Sequence, residues 1–295
     1  MIVVGHRHSG SSGSGGSNSS ANAVASAVIP NGNNLSCTAS AFAQNIAHTA
    51  LMAAYTNLLN QLRHIPPTGP LSTLPAPENW CSIKYYEMDV VVGDVFKVSS
   101  TYSSVQIDGG TDPSQPNRFC VGALSNVHRS DVSNRVRHHI GKGVQLELEG
   151  EGDVWLRCLS DHAVFLESNF LDRSYGKQSG TWIHKIYEQA PPIKVFDLRC
   201  AYQQIAEQAS RALLQALNCT ATANPAASYQ STAASPISLG VDELSRFCRL
   251  RISFVKGWGP DYSRKTIEAT PTWIEVHLHR ALQILDEILH SLPQQ

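Results

Sequence analysis

Between Val144 and Leu159 the chain carries its tightest constraint on fold. Val144, Leu146 and Leu148 alternate with Gln145, Glu147 and Glu149, which is the two-residue period of a strand with one buried face. The run GEGD then turns the chain into Val154, Trp155, Leu156, Arg157, Cys158 and Leu159, so the segment predicts a hairpin. Further short strands are expected at Val105 to Ile107, Val121 to Leu124, Ala163 to Leu166 and Ile193 to Leu198. The texture of a folded domain begins at Trp80, where WCSIKYYEMDVVVGDVFKV is rich in β-branched and aromatic residues and Gly93-Asp94 is placed for a two-residue hairpin turn. Many short strands separated by turn residues predict an antiparallel sandwich.

In the last third the period changes. Residues 199–218 predict a helix with Ile205, Ala209, Leu213 and Leu217 on one face. The stretch 219–240, built from Thr, Ala, Asn, Pro and Ser, reads as a mobile insertion. Val241 to Phe247 predicts a short helix and Leu250 to Val255 a strand. In the final helix Ile274, Leu278, Ala281, Leu282, Leu285, Ile288 and Leu289 share one stripe. Three helical segments beside a sandwich make a mainly β, α+β domain over 80–292. Residues 1–79 read as a disordered Ser/Gly/Pro-rich linker. Within it, Ile46, Leu51, Leu58, Leu59 and Leu62 fall at helical spacing over 41–62, read either as a helix that docks or signals transport or as a transient helix with no fixed partner.

Composition removes several functions. A formal net charge of -1 argues against general nucleic-acid binding, which needs a basic surface to release counterions. No apolar run approaches a membrane span, and the start MIVVGHRHSGSSGSGG lacks a signal-peptide pattern, so the chain reads as cytosolic or nuclear. The seven cysteines are odd in number, widely spaced and without a CxxC pair, the usage of buried thiols rather than of zinc ligands or a disulfide frame.

Catalytic patterns are absent from the sequence. Ser160-Asp161-His162 has the residue types of a hydrolase triad, but neighbours in an extended segment point to opposite faces. Neither G-x-S-x-G nor H-E-x-x-H occurs, and the glycines of GEGDVW precede a strand rather than a helix. His277 and His279 lack a third and fourth metal ligand, so no catalytic residue, metal or cofactor is expected.

The eleven residues FVKGWGPDYSR, Phe254 to Arg264, place Lys256 and Arg264 on a loop stiffened by Gly257, Trp258, Gly259 and Pro260. A compact ammonium and a planar guanidinium on such a loop suit a phosphate, against the alternative of two solvated cations on an ordinary turn. Asp108, Arg118 and Asp286 stand at turns or at the edge of an apolar stripe, where they read either as interface residues or as solvated charges.

FVKGWGPDY, together with RFCVGALSNVHR, HIGKGVQLELEGEGDVWLRCLSDHAVFLES, KVFDLR and WIEVHLHRALQILDE, resembles the C-terminal Mad-homology domain of Smad proteins from about Trp80 to about Leu292. The wording is most similar to the common-mediator branch. The resemblance implies a β-sandwich with a three-helix bundle at one end and a loop-helix region at the other, without catalysis. It implies that Lys256, Arg264, Arg173 and Lys185 bind phosphoserines on the C-terminal tails of receptor-activated Smads. Asp108, Arg118, Asp286 and Trp273 match the subunit interface of the resulting heteromeric trimer. It further implies transcription factors and co-regulators as partners, signalling from transforming growth factor-β and bone morphogenetic proteins, and shuttling between cytoplasm and nucleus. The turn DGGTDP has Gly110 where the family often has an aromatic. The end HSLPQQ offers no Ser-x-Ser, and nothing in 1–79 resembles the family's DNA-binding domain, so DNA contact is expected from partners. A chain without that domain could instead sequester phosphorylated partners as a dominant-negative inhibitor.

Overall fold

The computed structural model describes residues 33–222 and 241–292. The sequence-expected insertion therefore lies outside the described residues from 223 to 240, as do residues 1–32 of the linker. Two compact units divide the chain, Met1–Ala43 and Gln44–Gln295. The second begins within helix α1, Asn33–Arg63, which buries Leu51 and Leu58 in the main hydrophobic core. Beyond α1 the chain is tied down by side chains that lie far away in sequence. Glu151 accepts hydrogen bonds from the Leu71 and Ser72 backbone N–H groups, Arg280 pairs with Glu151 at 2.7 Å and donates to the Leu74 carbonyl at 2.9 Å, and Arg199 donates to the Pro66 carbonyl.

Among the described residues twelve strands form two sheets. In chain order, β1 (Asn79–Glu87), β2 (Val90–Val91), β3 (Phe96–Ser99), β4 (Ser104–Asp108) and β5 (Arg118–Cys120) precede a 3-10 turn at Val121–Ala123 and helix α2 (Asp131–Arg137). Next come β6 (Val144–Glu149), β7 (Asp153–Cys158), β8 (Val164–Glu167), α3 (Asn169–Ser174), β9 (His184–Ile186) and β10 (Ile193–Phe196). Helices α4 (Leu198–Thr222) and α5 (Val241–Ser245), strands β11 (Arg249–Phe254) and β12 (Trp273–Leu278), and α6 (His279–His290) complete the order. The larger sheet runs β2-β1-β12-β11-β8-β9 with β3 also paired to β1, and the smaller runs β10-β7-β6-β4-β5.

The predicted hairpin is β6 and β7, paired from Val144↔Cys158 to Glu149↔Asp153. Its inward side chains, Val144, Leu146, Val154 and Leu156, join Ile83, Tyr85, Val164, Leu166, Leu250, Ile252, Ile274 and Val276 of the larger sheet in one core. That shared burial makes the two sheets a sandwich and the chain an α+β fold. Beside them, α4 buries Ile205, Ala209, Leu213 and Leu217, and α6 buries Ala281, Ile284, Leu285 and Ile288.

Four local expectations are corrected. Gly93-Asp94 is not a hairpin turn: β2 and β3 both pair with β1, so these residues break one long strand, and the tight turn falls at Met88-Asp89, with Met88 at φ 59°. Residues 121–123 form a 3-10 turn instead of a strand. Ile274 and Leu278 belong to strand β12, and the last helix starts at His279. Finally, β4 and β5 pair in parallel in an otherwise antiparallel sandwich.

Candidate functional site

One row of side chains crosses the larger sheet: Tyr86↔Trp273, Trp273↔Ser253, Ser253↔Phe165 and Phe165↔Lys185 are register partners. Directly paired residues project from the same face, so the row presents one line from β1 to the edge strand β9. Tyr86 stacks on Trp273 at 3.9 Å between centroids, and the Trp273 Nε1 donates to the Met88 carbonyl at 2.7 Å. Phe165, Trp258, Ile267 and Trp273 form a second apolar cluster with Ile183 and Tyr262 packed against it. This cluster is the underside of the loop that follows β11.

The loop is fixed by its own backbone. Val255 holds φ +66°, an unfavourable value for a β-branched residue, and the Lys256 N–H closes a three-residue turn onto the Phe254 carbonyl at 2.6 Å. The Ser253 hydroxyl donates to the Lys256 carbonyl at 2.5 Å. The Gly259 N–H donates to the Arg264 carbonyl at 2.8 Å, closing the far end. Lys265 folds back onto the Pro260 and Tyr262 carbonyls. Two glycines are required by space: a Cβ on Gly257 would lie 2.7 Å from the Tyr262 ring and 2.8 Å from Phe165, and Gly259 has φ +103° with Ile183 against it.

Lys256 and Arg264 are thus held on a stiff loop. Among the described residues neither has a carboxylate within 4.0 Å, and neither side chain makes a hydrogen bond. Lys185 is exposed and lies 4.5 Å over the Tyr187 ring, and it is held beside the loop because its register partner Phe165 packs against Gly257. The loop that carries Lys256 and Arg264 therefore packs, at Gly257, on the register partner of Lys185. Arg173 differs: it sits on α3 and reaches Glu207 of α4 at 3.3 Å. Its neighbour Asp172 is fully buried and links α3 to the approach to β9. The Asp172 carboxylate accepts from the Gly180 N–H at 2.7 Å and the Thr181 N–H at 3.2 Å, and meets the His184 Nε2 at 2.7 Å.

The expected interface residues fall elsewhere. Asp108, buried at the end of β4, pairs with Arg118 of β5 at 2.7 Å and also accepts from the Gly110 N–H at 2.6 Å. Hydrogen bonding to Asp108 raises the Arg118 pKa, keeping the guanidinium charged. A Cβ at Gly110 would come within 2.6 Å of Asp108 and 2.8 Å of Arg118, which explains glycine there. Asp286 is exposed on α6, 3.3 Å from His290. Trp273 is buried in the cross-sheet row rather than at the surface.

Residues 78–279 match the family model described as the MH2 domain. The chain belongs to the MH2-domain family of Smad proteins. It is 54% identical over 252 residues to human mothers against decapentaplegic homolog 4, covering 81% of this chain and 44% of that protein. The bovine homologue is 55% identical over 247 residues, 79% of this chain and 43% of that protein. Dwarfin sma-4 of Caenorhabditis elegans is 43% identical over 224 residues, covering 74% and 38%. The chain spans less than half the length of these curated relatives, and within the Smads it is of the common-mediator, Smad4-like type.

On the same face of this Smad domain, Glu275 is the hub of an ion network. Arg251 lies 2.9 Å from it, His277 2.7 Å and Arg249 3.5 Å. Burial alone would push the Glu275 carboxyl up, but the hydrogen bonds from His277 and Arg251 and the adjacent Arg249 overcome it and hold the pKa down at about 2. His277 is thus a hydrogen-bond partner of Glu275, and His279 meets the Ser82 hydroxyl at 3.0 Å. Among the described residues no group of three or more His, Cys, Asp or Glu side chains could hold a metal, and no helix is long and apolar enough to cross a membrane.

Two residues that shape the cationic surface escaped sequence reasoning. Asp172 has partners eight to twelve residues away, two of them backbone groups, so no motif marks it. Lys177 lies 4.3 Å over the Trp182 ring and has no carboxylate partner among the described residues. Its signal in the sequence is the mixing of aromatics and cations in SYGKQSGTWIHKIY.

Proposed function

We propose that this chain is the common-mediator subunit that reads the phosphorylated C-terminal tails of receptor-activated Smads, joining them in a heteromeric trimer in transforming-growth-factor-β and bone-morphogenetic-protein signalling. The observation that supports the reading is that Lys256 and Arg264, on a stiff loop, and Lys185, on the edge strand whose neighbour that loop packs against, have no carboxylate partner among the described residues. A phosphoserine brings up to two negative charges and three acceptor oxygens. Cations already freed of carboxylate partners and held by a stiff loop meet it without first giving up an ion pair. Arg173, shared with Glu207, joins them when the anion arrives.

The subunit contact uses Arg118 and Asp286. Asp108 holds the Arg118 guanidinium in a fixed direction through Nε and Nη2, with Nη1 only 3.5 Å from the Asp112 carbonyl, and Asp286 offers from α6 a carboxylate for such a guanidinium of the neighbouring subunit. Trp273 acts from beneath by bracing the loop. The role is adaptor and transcriptional co-regulator, exercised in cytoplasm and nucleus with transcription factors as further partners.

Titrating the chain with a phosphorylated receptor-activated Smad tests this reading. Lys256→Ala or Arg264→Ala weakens binding by about 1.5–3 kcal/mol, the range for hydrogen bonds to charged groups, and the loss shrinks as salt rises. Variants that bind as tightly as the parent chain contradict it.

A further inference from the structure

The surface beside the proposed phosphate site carries large aromatic side chains in solvent. Trp182 is 48% exposed, Tyr187 58% and Tyr175 63%. Scattered apolar surface residues are ordinary. Trp182 is not scattered, because the chain around it is pinned on both sides by one buried group. Asp172 takes hydrogen bonds from Gly180 and Thr181 just before it and from His184 just after it. The next residue, Ile183, packs into the aromatic cluster under the loop and lies 3.1 Å from the Cβ position of Gly259. An indole on so constrained a segment is presented to solvent by the fold itself.

Its charge setting is also specific. The Lys177 ammonium lies 4.3 Å over the Trp182 ring, and the Lys185 ammonium 4.5 Å over Tyr187. Neither lysine has a carboxylate partner among the described residues. Such pairs offer an apolar face and an unspent positive charge together, the complement of a peptide that carries apolar residues beside phosphates. A purely anionic ligand would have no use for the indole, and a purely apolar one would leave the lysines unused.

We infer that Trp182, with Lys177 beside it, is a second recognition element for the phosphorylated partner: it packs on the apolar part of the tail that flanks the phosphoserines. This rests on the phosphate reading above. The cations would give the complex its dependence on phosphorylation and salt, and Trp182 would add an attraction that salt does not screen, since apolar burial carries no net charge to screen. Trp182 thereby sets which tail sequences bind, and the cations set whether the tail must be phosphorylated.

The experiment measures affinity of the full chain for a receptor-activated Smad in three forms, tail phosphorylated, tail unphosphorylated and tail removed, at low and at high salt. Trp182→Ala, Trp182→Phe and Lys256→Ala are compared with the parent chain, and thermal unfolding checks each fold. Trp182→Ala is expected to weaken binding of the phosphorylated form about three- to tenfold at both salt concentrations. Trp182→Phe should recover part of the loss, and the Lys256→Ala defect should fade at high salt. If Trp182→Ala binds like the parent while phosphorylation is still required, the inference fails and the phosphate reading stands. If Trp182→Ala weakens the tail-less form equally, the contact is not with the tail and the inference also fails. If the parent binds phosphorylated and unphosphorylated forms alike, the phosphate reading fails and takes the inference with it.

Discussion

Gly257→Ala tests whether the loop owes its shape to the aromatic cluster beneath it. The added methyl would stand 2.7 Å from two atoms of the Tyr262 ring and 2.8 Å from Phe165. Neither ring can simply rotate away, because Phe165 lies in β8 within the cluster formed with Trp258, Ile267 and Trp273, and Tyr262 meets Phe165 edge-on at 5.4 Å. Overpacking of this kind costs about 1–3 kcal/mol. For a domain of about 200 residues that lowers the melting temperature by roughly 2–4 °C per kcal/mol. Gly150→Ala is the control: Gly150 has φ +60° in the β6–β7 turn with nothing within 4 Å of a new Cβ, so it suffers backbone strain alone, about 1 kcal/mol. Differential scanning calorimetry and partner binding are measured on both. Gly257→Ala should melt lower than Gly150→Ala and lose partner affinity, because Lys256 precedes the displaced residue. Equal melting shifts with intact binding for Gly257→Ala would refute the claim that the cluster sets the loop.

Leu58→Ala should destabilise the chain by about 2–5 kcal/mol in urea unfolding, because Leu58 of α1 is fully buried in the main core; a change near zero would mean that α1 does not share that core. Glu275→Gln should lower stability near neutral pH. The Glu275 pKa in the fold, about 2, lies below its ordinary 4.5, so the stabilisation is present above about pH 4.5 and is lost as pH falls toward 2. The full shift corresponds to about 3 kcal/mol, which solvent screening of the partly exposed partners Arg249, Arg251 and His277 reduces to about 1–2 kcal/mol. The gap between parent and variant should therefore narrow steadily from about pH 5 to pH 3, and a gap constant over that range would contradict the assignment.

The sequence showed the fold best where one period held alone. From Val144 to Glu149 only alternation fits, and β6 lies there. Ile274 and Leu278 are four residues apart, a spacing shared by one helical turn and two strand repeats, so the apolar stripe of α6 absorbed them. No side-chain N-cap marks the change at Leu278, and β12 was hidden inside the predicted helix. At Gly93 the turn residues were real, but they interrupt a strand that stays paired to β1 on both sides, and pairing partners are not written locally. In the candidate site, Lys256 and Arg264 were legible because a Gly- and Pro-rich loop surrounds them. Lys185 and Arg173 stood out only through the family resemblance, because they lie on separate segments, β9 and α3, outside the Gly- and Pro-rich loop. Asp172 stayed unreadable for the same reason in stronger form: an isolated aspartate reveals nothing until the chain returns and hands it two N–H groups and an imidazole.

The most direct measurement is the affinity of this chain for one receptor-activated Smad with its C-terminal tail phosphorylated and then dephosphorylated, by calorimetric titration at fixed salt. The account predicts clear binding to the phosphorylated form, weakened by raised salt, and at least tenfold weaker binding after phosphatase treatment, about 1.4 kcal/mol or more. Equal affinity for the two forms would contradict it.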